Sequence, residues 1–309
     1  MLRGFIFSKH CFSEGVKMNY QEFIKDVVSH ISESISNEKK VVVQQVTKNN
    51  GMKYDGLVIL DPILNISPTI YLNPYYHRYL EGVSLEDIYS DVLTIYETYM
   101  PKEDFDISQF VDFEKAKSKI IFKLVNKEKN VELLEDVPYV DFCDLALIFL
   151  CNVCDHNHKY GTILIHNQHL SYWNISLDAL FKIAQENTPL LLPYRFDNLI
   201  NILDQVIRPE NVNIDFGMYI LTNDHKIHGA TSLAYPGILE QISNTLNDDL
   251  IIIPSSIHEA LIIPENRFDS DLSELHSTIA DINEIELTDD EVLSDHPYFY
   301  KRDTGYITY

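Results

Sequence analysis

The stretch Leu250-Ile-Ile-Ile-Pro-Ser-Ser-Ile-His-Glu-Ala-Leu-Ile-Ile-Pro264 organises the second half of this chain. Two aliphatic runs, Leu250–Ile253 and Ala260–Ile263, flank the polar insert Ser255–Glu259. Continuous apolar runs of this length, bounded by prolines, are typical of strands that are buried on both faces. Because proline cannot donate a ladder hydrogen bond, the two prolines are expected at strand ends or bulges. We therefore predict two central strands, joined by a polar turn.

The chain is strongly acidic, with 47 aspartates and glutamates against 24 lysines and arginines and a formal net charge of −23. A field of this sign repels the phosphates of nucleic acids and the headgroups of anionic lipids. We therefore expect no direct binding to nucleic acid or to a membrane surface. A protein partner is expected to be basic.

Cysteine usage and hydropathy point to the cytoplasm. Four cysteines, two of them close together at Cys151 and Cys154, are too few for the disulfide framework of a secreted domain. No apolar run reaches the roughly 18 residues of a membrane-spanning helix. The apolar patch near the N-terminus is too short for the core of a signal peptide.

The first half of the chain predicts a small N-terminal α/β lobe. An amphipathic helix begins at Met18, so residues 1–17 are interpreted as an upstream extension with no fold of its own. A hairpin is expected over 41–60, because the turn signal Lys48-Asn-Asn-Gly51 separates two strand-like runs. Ser84 is predicted to cap a helix that ends at Met100.

The acidic, polar segment 102–109 is the candidate linker between two lobes, which places the N-terminal lobe at 18–110 and a larger C-terminal lobe at 111–309. The C-terminal lobe is expected to contain the following elements: a strand in Phe142–Val153, a helix from Ser176 through Asn187 that is separated from the next by Pro189, a helix at Phe196–Ile207, and a short helix from Thr288. Helices and strands interleave without regular βαβ spacing. The predicted class is therefore α+β, with mixed or antiparallel sheets and interleaved helices.

A cysteine and histidine cluster is the first candidate site. Cys151 and Cys154 stand at CxxC spacing, and His156 and His158 follow directly. Thiolates and imidazoles are the ligands that Zn²⁺ prefers, and a turn between two strands could gather all four. The alternative is that Cys151 is an ordinary buried strand residue and that the histidines are exposed in a polar turn.

The insert between the two central strands is the second candidate. Ser256, His258 and Glu259 bring hydroxyl, imidazole and carboxylate close together, and His166, at the end of a strand with Asn167 as the expected N-cap of the next helix, could act alongside them. In an extended insert, however, Ser256 and His258 lie roughly 6–7 Å apart, which is too far for a hydrogen bond. The alternative is a polar hairpin turn whose side chains satisfy backbone donors.

Several short blocks resemble those of an uncharacterised bacterial family, a domain of unknown function that is abundant in anaerobic gut-type bacteria. The blocks that carry the resemblance are Asn65–Tyr76, Leu133–Pro138, Thr162–Asn167, Glu186–Pro189, Pro254–Glu259 and Val292–His296. Together they cover the chain from about Met18 to its end. More faintly, Asn174–Asn187 and Leu250–Ile263 are similar to a second uncharacterised cytosolic bacterial family. The resemblance implies no activity, cofactor or catalytic residue.

Because the sequence contains no complete catalytic constellation, we interpret the chain as a non-enzymatic binding or regulatory protein of the cytoplasm. No resident cofactor is expected. The alternatives are a hydrolase that uses Ser256, His258 and Glu259, and a small zinc site at the cysteine and histidine cluster.

Overall fold

A computed structural model describes residues 17–153, 161–200, 217–268 and 272–309. The chain folds into two compact units. Unit 1 comprises the residues through Val46 together with Lys53–Phe105, and unit 2 comprises Thr47–Met52 and Asp106–Tyr309. Several antiparallel sheets with interleaved helices make up the structure, so the α+β prediction is confirmed. Residues 1–16 of the predicted N-terminal extension lie outside the described residues.

Unit 1 packs three helices with a three-stranded sheet. In chain order its elements are α1 (Tyr20–Ser34), β1 (Lys40–Thr47), β2 (Lys53–Leu60), β3 (Thr69–Tyr71), α2 (Leu72–Leu80) and α3 (Leu85–Tyr99). The first helix buries Phe23, Val27 and Ile31, the spacing that the amphipathic pattern indicates. The strand order is β1-β2-β3, which confirms strand pairing within 41–60. The Ser84 hydroxyl accepts the backbone N–H of Asp87 and caps α3 as predicted.

Unit 2 contains the remaining elements. They are α4 (Ser108–Val111), α5 (Phe113–Ala116), β4 (Ile120–Asn126), α6 (Val131–Asp136), β5 (Tyr139–Phe142), β6 (Leu145–Asn152), β7 (Thr162–Leu164), α7 (Asn167–Trp173), α8 (Leu177–Leu191), β8 (Tyr194–Asn198), β9 (Tyr219–Asn223), α9 (Ile238–Leu246), β10 (Leu250–Ile253), β11 (Ala260–Pro264), α10 (Leu272–Glu286), β12 (Tyr298–Lys301) and β13 (Tyr306–Thr308).

The predicted central strands lie in the middle of a six-stranded sheet with the order β13-β12-β10-β11-β9-β8. Strands β10 and β11 pair antiparallel, with Ile252 opposite Ile262, and both of these side chains are fully buried. Burial of an isoleucine side chain contributes about 1.5–3 kcal/mol, so this pair anchors the unit. The prediction from the two aliphatic runs is confirmed.

A second sheet is built on β6, which pairs with β4, β5 and β7. The apolar run that predicts a strand in Phe142–Val153 in fact contains a turn near its start. Phe142 ends β5 and Leu145 begins β6, and the two residues face each other across the pair. Cys143 sits between them in the left-handed conformation, with φ 54°. The apolar composition of the run did not predict this tight turn, because a two-residue turn requires particular backbone dihedral angles rather than polar residues.

Three further expectations are wrong in detail. Pro189 does not separate α8 from the next element but lies inside its last turn, where its neighbour Thr188 donates a hydrogen bond to the carbonyl of Ala184. The start of the predicted helix Phe196–Ile207 belongs to strand β8, which pairs with β9; residues 201–216 lie outside the described residues. Thr288 opens a turn rather than a helix, because the Glu291 N–H donates to the Thr288 carbonyl and the chain then turns extended.

Candidate functional site

The insert between β10 and β11 is held by a second extended segment in unit 2. The Ile257 N–H donates to the carbonyl of Glu291 at 2.9 Å, and the Leu293 N–H donates to the carbonyl of Ser255 at 2.8 Å. Ser256 and Val292 form the bridge between the two segments. The insert is therefore a paired element rather than a free hairpin turn, and it places the residue after Ile257 beside Glu291.

That residue, His258, contacts a second histidine and a carboxylate. Its Nε2 lies 3.6 Å from Oε1 of Glu291. Its ring is nearly parallel to that of His228, at a centroid separation of 6.0 Å and an interplanar angle of 9°. The backbone N–H of His228 donates to Nδ1 of His258 at 3.4 Å. This hydrogen bond assigns the proton of the neutral ring to Nε2, which faces Glu291.

His228 reaches this position through a tightly constrained loop. The side chain of Asn223 accepts the His225 N–H and donates to the carbonyl of Ile227, so it braces the loop from within. His228 itself adopts φ 52°, a left-handed conformation that is uncommon for residues other than glycine. At Gly229 a Cβ atom would lie 2.3 Å from the carbonyl oxygen of His258. Only glycine permits this approach of the loop to the insert.

Two lysines complete the group. Lys123 lies on β4 between the buried side chains of Phe122 and Leu124, and burial lowers its pKa to about 8, with a further contribution from the charge of Lys48. Burial holds the pKa of His228 well below its usual value, and the charges of Lys123, His258 and Lys48 add to this effect. We call Lys48, Lys123, His228 and His258 the basic cluster.

The basic cluster carries an unsatisfied polar atom. Nδ1 of His228 is buried and has no hydrogen-bond partner within the described ranges. Lys123 forms no ion pair with any described residue, whereas Lys127 on the same strand pairs with Asp141 at 2.6 Å. Glu291 is the carboxylate that the described residues place against the cluster. Buried polar atoms are normally hydrogen-bonded, so the unpaired Nδ1 of His228 marks a position for a further hydrogen-bond partner.

Asparagines fix the segment that carries Glu291. Nδ2 of Asn50 donates to the carbonyls of Asp289 and Val292, both at 2.7 Å. Nδ2 of Asn126 donates to the carbonyl of Leu293 at 2.9 Å. These amides hold both sides of Glu291, so its carboxylate is positioned by the backbone rather than by a flexible loop.

The predicted catalytic group is only partly brought together. The Ser256 hydroxyl is buried and accepts the backbone N–H of His258 at 3.0 Å, and no hydrogen bond joins this hydroxyl to the His258 ring among the residues described. Glu259 is exposed, and Glu291 is the carboxylate that meets His258. His166 lies elsewhere in unit 2.

His166, rather than Asn167, occupies the N-cap position of α7. Its backbone N–H donates to Nδ1 of His169, and its own Nδ1 lies 2.6 Å from the carboxylate of Asp136. The reciprocal contact between His166 and His169 caps the first turn of α7, the role that was expected of Asn167. This histidine therefore has a structural role at a helix start.

Of the predicted zinc ligands, Cys154, His156 and His158 lie outside the described residues. Cys151 is fully buried in β6, and burial raises the pKa of its thiol to about 11, which disfavours the thiolate that metal binding requires. In the part of the chain that the structure describes, no three histidine, cysteine, aspartate or glutamate side chains form a group suited to a metal ion.

Lys48, Lys123, His228 and Glu291 were not assigned to a site from the sequence. One signal was present: Lys123 interrupts the otherwise apolar run Ile120–Val125. A lysine in the middle of a buried strand is uncommon unless it has a partner or a function. The other residues come from separate segments, so their meeting depends on the fold.

The model of a family described as a family of unknown function (DUF5688) matches residues 20–302. The chain belongs to this family. The resemblance inferred from the short sequence blocks is thereby confirmed. No curated protein matches the chain, and no solved structure matches it. Across the described ranges, none of the helices combines the length and the apolar character needed to cross a bilayer.

Proposed function

We propose that this member of the family is a binding protein for a small oxyanion, such as a phosphate or a carboxylate, which it holds at the basic cluster. The observation that carries the proposal is the buried, unpartnered Nδ1 of His228 among two lysines and a second histidine. Perturbed titratable groups that converge in one place are candidates for a functional site.

The charge arrangement favours an anion over a cation. Each member of the basic cluster gains from a nearby negative charge, because an opposite charge favours the protonated form of lysine and histidine. A bound oxyanion can accept hydrogen bonds from several of these donors, and charge-assisted hydrogen bonds are the stronger class. The overall charge of −23 acts over longer distances, and salt at physiological strength screens it beyond about 8 Å.

Binding without chemistry fits the site better than hydrolysis. The Ser256 hydroxyl is engaged with backbone, and both ring nitrogens of His258 have partners, the His228 N–H on one side and Glu291 on the other. A general base needs a free lone pair within reach of the proton that it removes. The side chains of His258 and Glu291 are 35% and 37% exposed, so the cluster is open to a ligand from solvent.

Isothermal titration calorimetry with inorganic phosphate and with acetate tests this proposal. Binding is expected to take up protons, because the anion raises the depressed pKa values of His228 and Lys123. The heat of binding should therefore change between buffers of different ionisation enthalpy. Lys123→Met and His228→Asn should each weaken binding at least about tenfold, which corresponds to roughly 1.4 kcal/mol.

Lys127→Met is the matched control, since Lys127 lies on the same strand but is paired with Asp141. It should leave binding unchanged. If the wild-type protein binds neither anion, or if the control weakens binding as much as Lys123→Met does, the proposal fails.

The remaining expectations belong to the same proposal. We propose a cytoplasmic location, supported by the sparse cysteines, and any protein partner is proposed to be basic on the grounds of net charge. Nucleic acid, membrane surfaces and a resident zinc ion are not part of the proposed function. Fractionation of cells that express the tagged chain tests the location, since recovery in the membrane pellet would contradict it.

A further inference from the structure

We propose that Glu291 makes the site selective for an oxyanion that carries its own proton, of which hydrogenphosphate is the simplest example. This inference rests on the proposed function, because it names the class of oxyanion that the site holds. Its consequence is a preference for phosphate over sulfate and over simple carboxylates such as acetate, which have no O–H group at neutral pH.

The contact between His258 and Glu291 is too long to be a direct hydrogen bond. Nε2 of His258 lies 3.6 Å from Oε1 of Glu291, whereas a hydrogen bond from nitrogen to oxygen spans about 2.7–3.2 Å. Because Nδ1 of His258 accepts the backbone N–H of His228, the proton of the neutral ring is on Nε2. A ligand hydroxyl can serve both atoms at once, since its oxygen accepts from Nε2 and its proton is donated to Oε1.

The carboxylate of Glu291 is held in place beside His258. Its Oε2 accepts the backbone N–H of Thr288 at 3.3 Å, and its Oε1 is the atom nearest to the His258 ring nitrogen. The backbone on both sides of Glu291 is fixed by Asn50, whose Nδ2 donates to a carbonyl before and a carbonyl after it. An oxyanion that binds at His258 therefore meets a negative charge whose position is set by the fold.

That negative charge distinguishes two classes of anion. A proton-free oxyanion such as sulfate would place a charged oxygen against the carboxylate, and like charges in contact disfavour a complex. An oxyanion that keeps an O–H group instead donates a charge-assisted hydrogen bond to the same carboxylate oxygen. Inorganic phosphate keeps at least one proton through neutral and mildly alkaline pH, whereas sulfate keeps none. Both anions are tetrahedral, so the discrimination comes from the proton rather than from shape.

The two histidines supply donors for the same anion. The ring of His228 is nearly parallel to that of His258 at a centroid separation of 6.0 Å, and its buried Nδ1 has no hydrogen-bond partner among the described residues. In the proposed complex the hydroxyl oxygen of hydrogenphosphate accepts from Nε2 of His258. A second phosphate oxygen accepts from Nδ1 of His228, in the tautomer that carries its proton there.

Calorimetric titration of the full chain with phosphate, sulfate and monofluorophosphate tests the proposal. Monofluorophosphate has the charge of hydrogenphosphate and nearly its size, but fluorine replaces the hydroxyl. Wild-type protein is expected to bind phosphate at least about tenfold more tightly than either of the other anions. Glu291→Gln keeps the shape of the side chain and replaces its charge by an amide that also donates, so it should bind sulfate more tightly than wild type does and reduce the preference to less than about threefold.

Asp289→Asn is the matched control, because it removes an equal charge from an exposed position on the same segment. It should keep the wild-type preference. Equal binding of the three anions by wild-type protein would overturn the selectivity and leave the oxyanion site standing, while binding of none would remove the site itself. The wild-type comparison does not depend on the folding of a variant. A preference that survives in Glu291→Gln, a loss of all binding in that variant, or a preference that disappears in Asp289→Asn would each contradict the role of Glu291.

Discussion

Replacing Lys123 by methionine is expected to stabilise unit 2, although the change removes a residue of the proposed site. The pKa of Lys123 falls from its ordinary 10.5 to about 8 in the folded chain. Each unit of pKa corresponds to about 1.36 kcal/mol, so holding the charged form in the fold costs about 3 kcal/mol, and solvent screening of a partly exposed amine brings the expected gain to about 2–3 kcal/mol. Methionine keeps the length and apolar character of the lysine stem.

The stability difference between Lys123→Met and the wild type should depend on pH. Between pH 8 and about 10.4 the unfolded chain binds more protons at this residue than the folded chain does, so the stability of the wild type rises with pH in that window. The penalty is complete below pH 8 and vanishes above about pH 10.4. The advantage of Lys123→Met should therefore be largest at pH 7 and should shrink as the pH approaches 10.

Urea unfolding followed by fluorescence is the assay. Trp173 is the single tryptophan of the chain and lies on α7, so its emission reports on unit 2. Lys127→Met serves as the control and should change the unfolding free energy by less than about 1 kcal/mol, because its partner Asp141 is an exposed carboxylate. A Lys123→Met protein that is less stable than wild type at pH 7 would refute the reasoning, as would a gap that does not change with pH.

Three further predictions concern the same unit. Gly229→Ala should destabilise unit 2 by about 2–4 kcal/mol in urea unfolding, because the added methyl would lie 2.0 Å from the Thr222 hydroxyl. Gly161→Ala should cost less than about 0.5 kcal/mol, because its Cβ meets nothing closer than 3.4 Å. Equal losses of stability in the two variants would contradict this packing. His228→Asn, which tolerates the left-handed backbone, should reduce the loss of stability on acidification. The pKa of His228 in the folded chain lies below its unfolded value of about 6.5, so the wild type loses up to about 1.36 kcal/mol of unfolding free energy per pH unit below pH 6.5. An unchanged slope of unfolding free energy against pH in the variant would be inconsistent with this. Tyr298→Phe should lower the unfolding free energy by about 1.5–3 kcal/mol, since the fully buried hydroxyl donates to the carboxylate of Asp144. A urea unfolding curve that matches that of the wild type would show that this hydrogen bond is not made.

The sequence predicted elements well where one periodic signal dominated. The aliphatic runs on either side of the insert gave both central strands, and spacing alone located the buried face of α1. Prediction failed where local composition and local geometry disagree. The turn at Cys143 lies in an apolar run, and Pro189 is tolerated because it stands in the last turn of α8. In both cases the backbone conformation of a single residue decided the outcome, and the composition of the surrounding run does not encode it.

The candidate site shows the same division more sharply. The sequence by itself determined that His258 stands in a polar insert between two buried strands, and it set the net charge of −23 from which we expect no binding to nucleic acid. Only the tertiary structure decided that this histidine meets His228, from a loop, and Glu291, from a turn, and that the charge of Lys123, on a strand of the other sheet, acts on His228. The physical reason is that electrostatic coupling depends on distance and burial, and both are fixed by packing between segments that are far apart along the chain.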